Sequence, residues 1–111
     1  MMPDQLLEQR LDQIFMALAD ATRRELVRML ALRSHTMNEL AAPFDMSLAA
    51  VSKHVKVLEK AGLVGRRIEG RVHHLSLVAT PLAQALDWIS IYRRFWQDKL
   101  DDLEQILKED G

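Results

Sequence analysis

Six cationic side chains crowd the middle quarter of this 111-residue chain: Lys53, Lys56, Lys60, Arg66, Arg67 and Arg71. Only Glu59 and Glu69 oppose them, so residues 46–74 carry +4, while residues 1–45 carry −2 and residues 75–111 carry −3. The whole-chain charge of −1 conceals this. Clustered cations neutralise phosphate, and such asymmetry is the electrostatic footprint of nucleic-acid contact. Arginine suits phosphate especially, because its planar fork donates two hydrogen bonds at once. Each piece alone also has a plainer account. Outer-face lysines fit a solvated helix, and arginines on an edge strand fit a guard against aggregation.

Other chemistries find little support. The chain has no cysteine, so disulfides, thiolate metal sites and cysteine nucleophiles are excluded. Ser52 and His54 stand two apart on a helix, which turns their side chains about 200° away from each other. His73 and His74 are adjacent in a strand and point to opposite faces, so they cannot share one ion without distortion. No phosphate loop, carboxylate pair beside a histidine, or nucleophile constellation is present, and neither enzyme activity nor a metal or other cofactor is expected. A hydrophobic fraction of 49% with 28% charged residues fits one globular domain over residues 1–111. No apolar run approaches the ~18–20 residues of a membrane span. The opening MMPDQLLEQR lacks the basic and apolar regions of a secretory signal, so a cytoplasmic, nucleoid-associated location is expected.

The elements that must position the cations follow from apolar spacing. Residues 4–18 place Leu7, Leu11, Ile14, Phe15 and Leu18 on one helical face. Asp20 reads as the N-cap of a second helix with Leu26, Val27 and Leu30 inward. Thr36-Met37-Asn38-Glu39 is a capping-box pattern opening a short third helix that must stop near Pro43. Ser47 reads as the N-cap of a fourth helix, and Gly62 as the residue just past its end. Residues 63–78 switch to two strands around Glu69-Gly70, a hairpin. Thr80 and Pro81 read as N-cap and first residue of a long last helix, to about residue 108. The expected fold class is mainly α with a small β-hairpin, in the order α-α-α-α-β-β-α.

Residues 37–61 then form a short helix, a break and a longer helix, the helix-turn-helix arrangement. Val51, Val55 and Leu58 make the buried face of the second member, while Ala49, Lys53, Lys56 and Lys60 point the other way, flanked by Ala50 and Ser52. A thin, small, basic outer surface suits a major groove about 12 Å wide. Ser47 and the helix N-terminus suit a phosphate. Arg66, Arg67 and Arg71 around the Gly70 turn would project as a basic wing. Recognition-helix charge, wing charge and element order agree, which favours double-stranded DNA over the alternative of a winged-helix module for protein–protein contact.

These residues resemble the ArsR/SmtB family of winged-helix repressors. The resemblance rests on Leu18-Ala19-Asp20-Ala21-Thr22-Arg23-Arg24, Glu39-Leu40-Ala41, Ser47 to Leu58 (SLAAVSKHVKVL), Ala61-Gly62-Leu63-Val64 and Glu69-Gly70-Arg71, and spans about residues 10–106. It implies a homodimeric repressor on a palindromic operator. By that analogy Ser52 and Lys53 reach base edges, Ser47, His54 and Lys56 support or contact the backbone, and Arg66, Arg67 and Arg71 are the wing contacts. Thr22-Arg23-Arg24 is expected to form a structural ion pair rather than a DNA contact. The chain departs from the family where metals bind. The third-helix stretch from Met37 to Ala42 holds no thiol, and residues 81–111 hold no histidine, though Asp87 and Glu109 are present. A non-metal-responsive regulator is therefore expected, with its effector unknown. A member of the family that responds to a metal or small ligand at a non-standard effector site stays open as an alternative.

The last helix carries a wide apolar stripe: Leu82, Leu86, Ile89, Trp96, Leu100, Leu103 and Leu107, widened by Trp88, Tyr92 and Phe95. A domain this small cannot cover it all. Leu82 and Leu86 are expected to pack on the protomer's own core. Leu7, Leu11 and Phe15 of the first helix, with Ile89, Tyr92, Trp96, Leu100 and Leu103 of the last, are expected to build a two-fold interface. The dimerisation helices are residues 4–18 and 81–108. The aromatic residues could alternatively line a small-ligand pocket.

Overall fold

The structure, a computed structural model, describes residues 5–110. Its elements are α1 (Gln5–Leu18), α2 (Ala21–Leu32), β1 (His35–Thr36), α3 (Met37–Ala41), α4 (Leu48–Lys60), β2 (Val64–Glu69), β3 (Val72–Leu77) and α5 (Ala79–Asp110). The expected start of the first helix at residue 4 lies outside the described residues.

Side-chain caps begin three of these helices. Asp20 accepts from the Arg23 backbone N–H at 2.9 Å and caps α2. Thr36 and Glu39 close a reciprocal capping box on α3, at 3.2 and 3.1 Å. Ser47 accepts from the Ala50 N–H at 3.1 Å and caps α4. Each cap satisfies N–H groups that the helix itself leaves orphaned. At the other end of α4, Gly62 takes φ +79°. Its N–H reaches the Glu59 carbonyl at 2.9 Å and the Leu63 N–H reaches the Leu58 carbonyl at 3.0 Å. That pair of bonds is the Schellman closure, and it turns the chain directly from α4 into β2.

One core joins the elements. Ile14, Leu26, Leu30, Leu40, Val51, Val55, Leu58, Leu63 and Leu75 are all buried in it. Helix α4 thus turns Val51, Val55 and Leu58 inward and stands on the rest of the domain.

Four sequence expectations need correction. The sheet has three strands in the order β1-β3-β2, all antiparallel, not the two of a lone hairpin. His35 pairs with Leu75 and Thr36 with His74. A two-residue strand is too short to show alternation, so only its partner betrays it. The hairpin turn is Gly70-Arg71, one residue later than expected, since Glu69 still pairs with Val72. Gly70 there has φ +63°, which a two-residue hairpin with glycine first requires. Helix α5 starts at Ala79, so Thr80 and Pro81 lie inside its first turn and are not its cap and first residue. Proline is tolerated there because first-turn N–H groups lack helical partners anyway. Leu86 is 63% exposed, not packed on the core; its neighbour Ala85 faces inward instead.

Helix α5 leans on α1 only near its start. Phe15 meets Trp88 edge-on at 5.5 Å between ring centroids, and Trp88 lies 4.7 Å from Tyr92. From Ile91 to Glu109 every side chain is exposed. The projecting helix stretches the molecule to 66 × 38 × 20 Å, with a radius of gyration of 18.9 Å. A compact chain of this length would have about 13 Å. No described helix is long and apolar enough to cross a membrane.

Candidate nucleic-acid interface

The outer face of α4 and the β2–β3 hairpin flank one open groove of about 620 Å³, walled by Asn38, Ala49, Ser52, Arg66, Arg71 and His73. The groove thus joins Ala49 and Ser52 of α4 to Arg66 and Arg71 of the hairpin, whereas Lys60 at the end of α4 lines a cleft with Arg10 and Gln13 of α1. Ser47, Ala49, Lys53 and Lys56 are exposed along α4, and Ser52 is half-buried at the groove wall. Ser47 is already the N-cap of α4, its hydroxyl oxygen accepting from the Ala50 N–H. Arg67 and Arg71 are exposed on the hairpin, Arg71 within the turn at its tip.

The cations differ in how free they are. The side chains of Lys53, Lys56 and Arg71 have no hydrogen-bond or ion-pair partner among the described residues. Arg67 pairs with Glu69 at 3.0 Å, but both side chains are about two-thirds exposed, so water and salt screen the pair. Arg66 is in a different position. Its guanidinium donates to both Glu59 carboxylate oxygens, at 2.6 and 3.2 Å, and to His73 Nδ1 at 2.9 Å. It is half-buried and turned back on α4, so its guanidinium is already engaged where it lines the groove.

His54 likewise faces inward. Its Nδ1 lies 3.3 Å from Arg23 Nη1 and 3.7 Å from Asp20 Oδ2. Arg23 also donates to the Ala17 and Met16 carbonyls, and Arg24 to the Leu18 carbonyl. The structural role of Thr22-Arg23-Arg24 is thus a closure of the α1 C-terminus by hydrogen bonds to carbonyls, not the expected ion pair. The Arg23 N–H, followed by that guanidinium's charge, holds the Asp20 carboxyl below its ordinary range. At the start of α3, the Thr36 backbone N–H and then Arg33 hold the Glu39 carboxyl at about 2.

Sequence reasoning missed three residues here. Leu48 is 49% exposed beside Ala49 at the start of α4, although its spacing to Val51 and Val55 suggests the interior. It lines the groove together with Asn38, Ala49 and Ser52. Glu59 and His73 were missed as the partners of Arg66. The available signal was opposite charge seven residues apart, across a glycine-capped helix end.

Of the interface residues expected on the terminal helices, Trp96 and Leu100 are 61% and 58% exposed. Leu7, Ile89, Tyr92 and Leu103 are exposed as well, and Phe15 is half-buried against Trp88. Leu11 is only 5% exposed, because its own chain already covers it, so it has little surface for a partner.

Comparison with known proteins agrees with this architecture. Residues 18–67 match the model of a helix-turn-helix domain family. The chain is 37% identical over 100 residues to the HTH-type transcriptional regulator Rv2034 of Mycobacterium tuberculosis, covering 90% of this chain and 91% of that one. A crystal structure of an ArsR family transcriptional regulator superposes with a TM-score of 0.75 at 34% identity, over 81% of this chain and 93% of its own. This chain belongs to the ArsR family of transcriptional regulators. The family's winged helix-turn-helix is the fold described above. More distantly, the chain is 27% identical to the transcriptional repressor SdpR of Bacillus subtilis, over 71% of this chain and 88% of that one.

Proposed function

We propose that this regulator is a homodimeric repressor that binds a palindromic operator and occludes its promoter. Helix α4 enters the major groove. Ser52 and Lys53 meet base edges there, with Ala49 and Leu48 against thymine methyl groups. Ser47 and Lys56 hold backbone phosphates at the groove rim, and Arg67 and Arg71 hold phosphates or the minor groove from the wing. His54 supports α4 from the side of α2. The observation that carries this reading is a set of cations without partners among the described residues: Lys53 and Lys56 exposed on α4, and Arg71 on the groove wall beside Ala49 and Ser52 of the same helix.

The dimer is supported by the apolar face of α5, where Trp96, Leu100 and Leu103 are more than half exposed. A two-fold pairing through α1 and α5 sets two recognition helices about 34–36 Å apart, the pitch of successive major grooves. The repressor assignment is supported by the likeness to SdpR, which is itself a repressor. That the regulator does not respond to metal through either family site is supported by the residue types of its helices, with no thiol in α3 and no histidine in α5.

Fluorescence anisotropy with labelled duplexes from upstream of the chain's own gene tests the reading. With about four phosphates neutralised per protomer, log K should fall against log salt with a slope of roughly −7. A flat salt response, or a protein that ignores every duplex, would overturn it.

A further inference from the structure

We propose that Arg66 is a positioning residue and not a DNA contact: with Glu59 and His73 it locks the wing to the recognition helix at the angle that lets both engage one duplex. This rests on the DNA-binding reading above.

Three elements meet in this cluster. Glu59 is in the last turn of α4, Arg66 is the third residue of β2, and His73 is the second of β3. All three guanidinium nitrogens are engaged, two on the carboxylate and one on the imidazole. To contact phosphate, Arg66 would have to abandon a bidentate, half-buried partner. Its neighbour Arg67 makes only an exposed pair and can be drawn off easily.

The position of the clamp explains its leverage. Between α4 and β2 the chain turns through Ala61, Gly62 and Leu63, and this joint is where a wing could tilt. From Arg66 to the tip at Gly70-Arg71 is four residues of strand, an arm of roughly 13 Å at strand rise. A tilt of about 10° at the clamp would shift the tip by roughly 2 Å, beyond what a hydrogen bond tolerates. Glu59 is also one of only two acids in the cationic segment, and a carboxylate near DNA opposes binding by simple electrostatics. Electrostatics and positioning therefore predict opposite signs for its neutralisation.

Glu59→Gln decides between them, since the amide is nearly isosteric and still offers an acceptor to Arg66. Anisotropy on a duplex that the wild-type protein binds should show Glu59→Gln weakened by about tenfold, the order of one charge-assisted hydrogen bond. Its salt slope should be unchanged. Arg66→Lys, which keeps the charge but cannot bridge both partners, should behave likewise. In an Arg71→Ala background the same Glu59→Gln change should cost less than half as much in log affinity, because the clamp acts through the wing tip.

Binding by Glu59→Gln as tight as or tighter than wild type would overturn the proposal. So would an equal loss with and without Arg71, which would mean general destabilisation. An Arg66→Ala variant whose salt slope flattens by about 0.9 per protomer would mark a direct phosphate contact and overturn it too. Wild-type protein that binds no duplex defeats the functional reading itself, whereas a wild type that binds with an indifferent Glu59→Gln defeats only the clamp.

Discussion

The segment from α2 to β3 and the outer half of α5 obey opposite rules. In the first, Leu26, Leu30, Leu40, Val51, Val55, Leu58, Leu63 and Leu75 are inside, three helix starts are capped by side chains, and Arg23, Arg24 and Arg66 close a helix end or bridge elements. In the second, every side chain from Ile91 to Glu109 is exposed, although Trp96, Leu100, Leu103 and Leu107 are as apolar as the core. The reading segment is completed by its own chain. The projecting helix is a surface awaiting another one, because a patch of this size exposed to water is unfavourable. Two such halves predict separable failures, and the variants below test that separation.

The largest effect should come from the projecting helix. Leu100→Asp combined with Leu103→Asp puts two charges where a partner helix would pack. The protein should run as a monomer in analytical ultracentrifugation, with an unchanged helical signal. Operator affinity should fall by about 10²–10⁴-fold, because two half-sites are no longer held together. A variant that stays dimeric would move the interface elsewhere and blur the division.

The converse change is Leu58→Ala in the core. Leu58 is completely buried between α4 and its neighbours. Its truncation should cost about 2–5 kcal/mol in urea unfolding, through lost burial and the cavity left behind. Here the fold weakens while the apolar face of α5 is untouched. Leu86→Ala, four residues into the exposed stripe from Leu82, should barely alter monomer stability, since Leu86 is largely in water.

The same division explains what could be read from the sequence. Helix caps at Asp20, Thr36 and Ser47, and the glycine end of α4, are local devices with local signatures, so they were legible. The buried face of α4 followed from its spacing. What escaped was set by partners distant along the chain. β1 exists because β3 accepts it. Leu11 is buried because α1 is folded against its neighbours, and Leu48 is exposed because it stands on the groove wall. Above all, charge counting treats Arg66, Arg67 and Arg71 alike. Only the geometry separates the bridged arginine from the weakly paired one and from the one at the turn.

Within the reading segment, Lys53 and Arg67 should separate readout from attraction. Lys53→Ala should weaken operator binding more than binding to random duplex, by about 1–3 kcal/mol on the specific site. Arg67→Ala should weaken both about equally and reduce the salt slope by roughly one per protomer. Competition anisotropy with both duplexes measures this directly. Identical behaviour of the two variants would mean that the base-reading residues have been misassigned.

The smallest effect should be a pH dependence confined to the start of α3. The Thr36 N–H and the Arg33 guanidinium lower the Glu39 carboxyl from 4.5 to about 2 in the folded protein. A group whose folded value is depressed binds its proton more readily when unfolded. Its stabilisation is therefore complete above pH 4.5 and is lost as pH falls toward 2. Glu39→Gln keeps an acceptor for the capping box but has no proton to gain. Thermal melts of wild type and Glu39→Gln should therefore differ most near neutral pH and converge as pH falls through this window. A gap that stays constant down to the lowest pH at which the fold survives would mean that the box stabilises α3 by geometry alone, with no contribution from its charge.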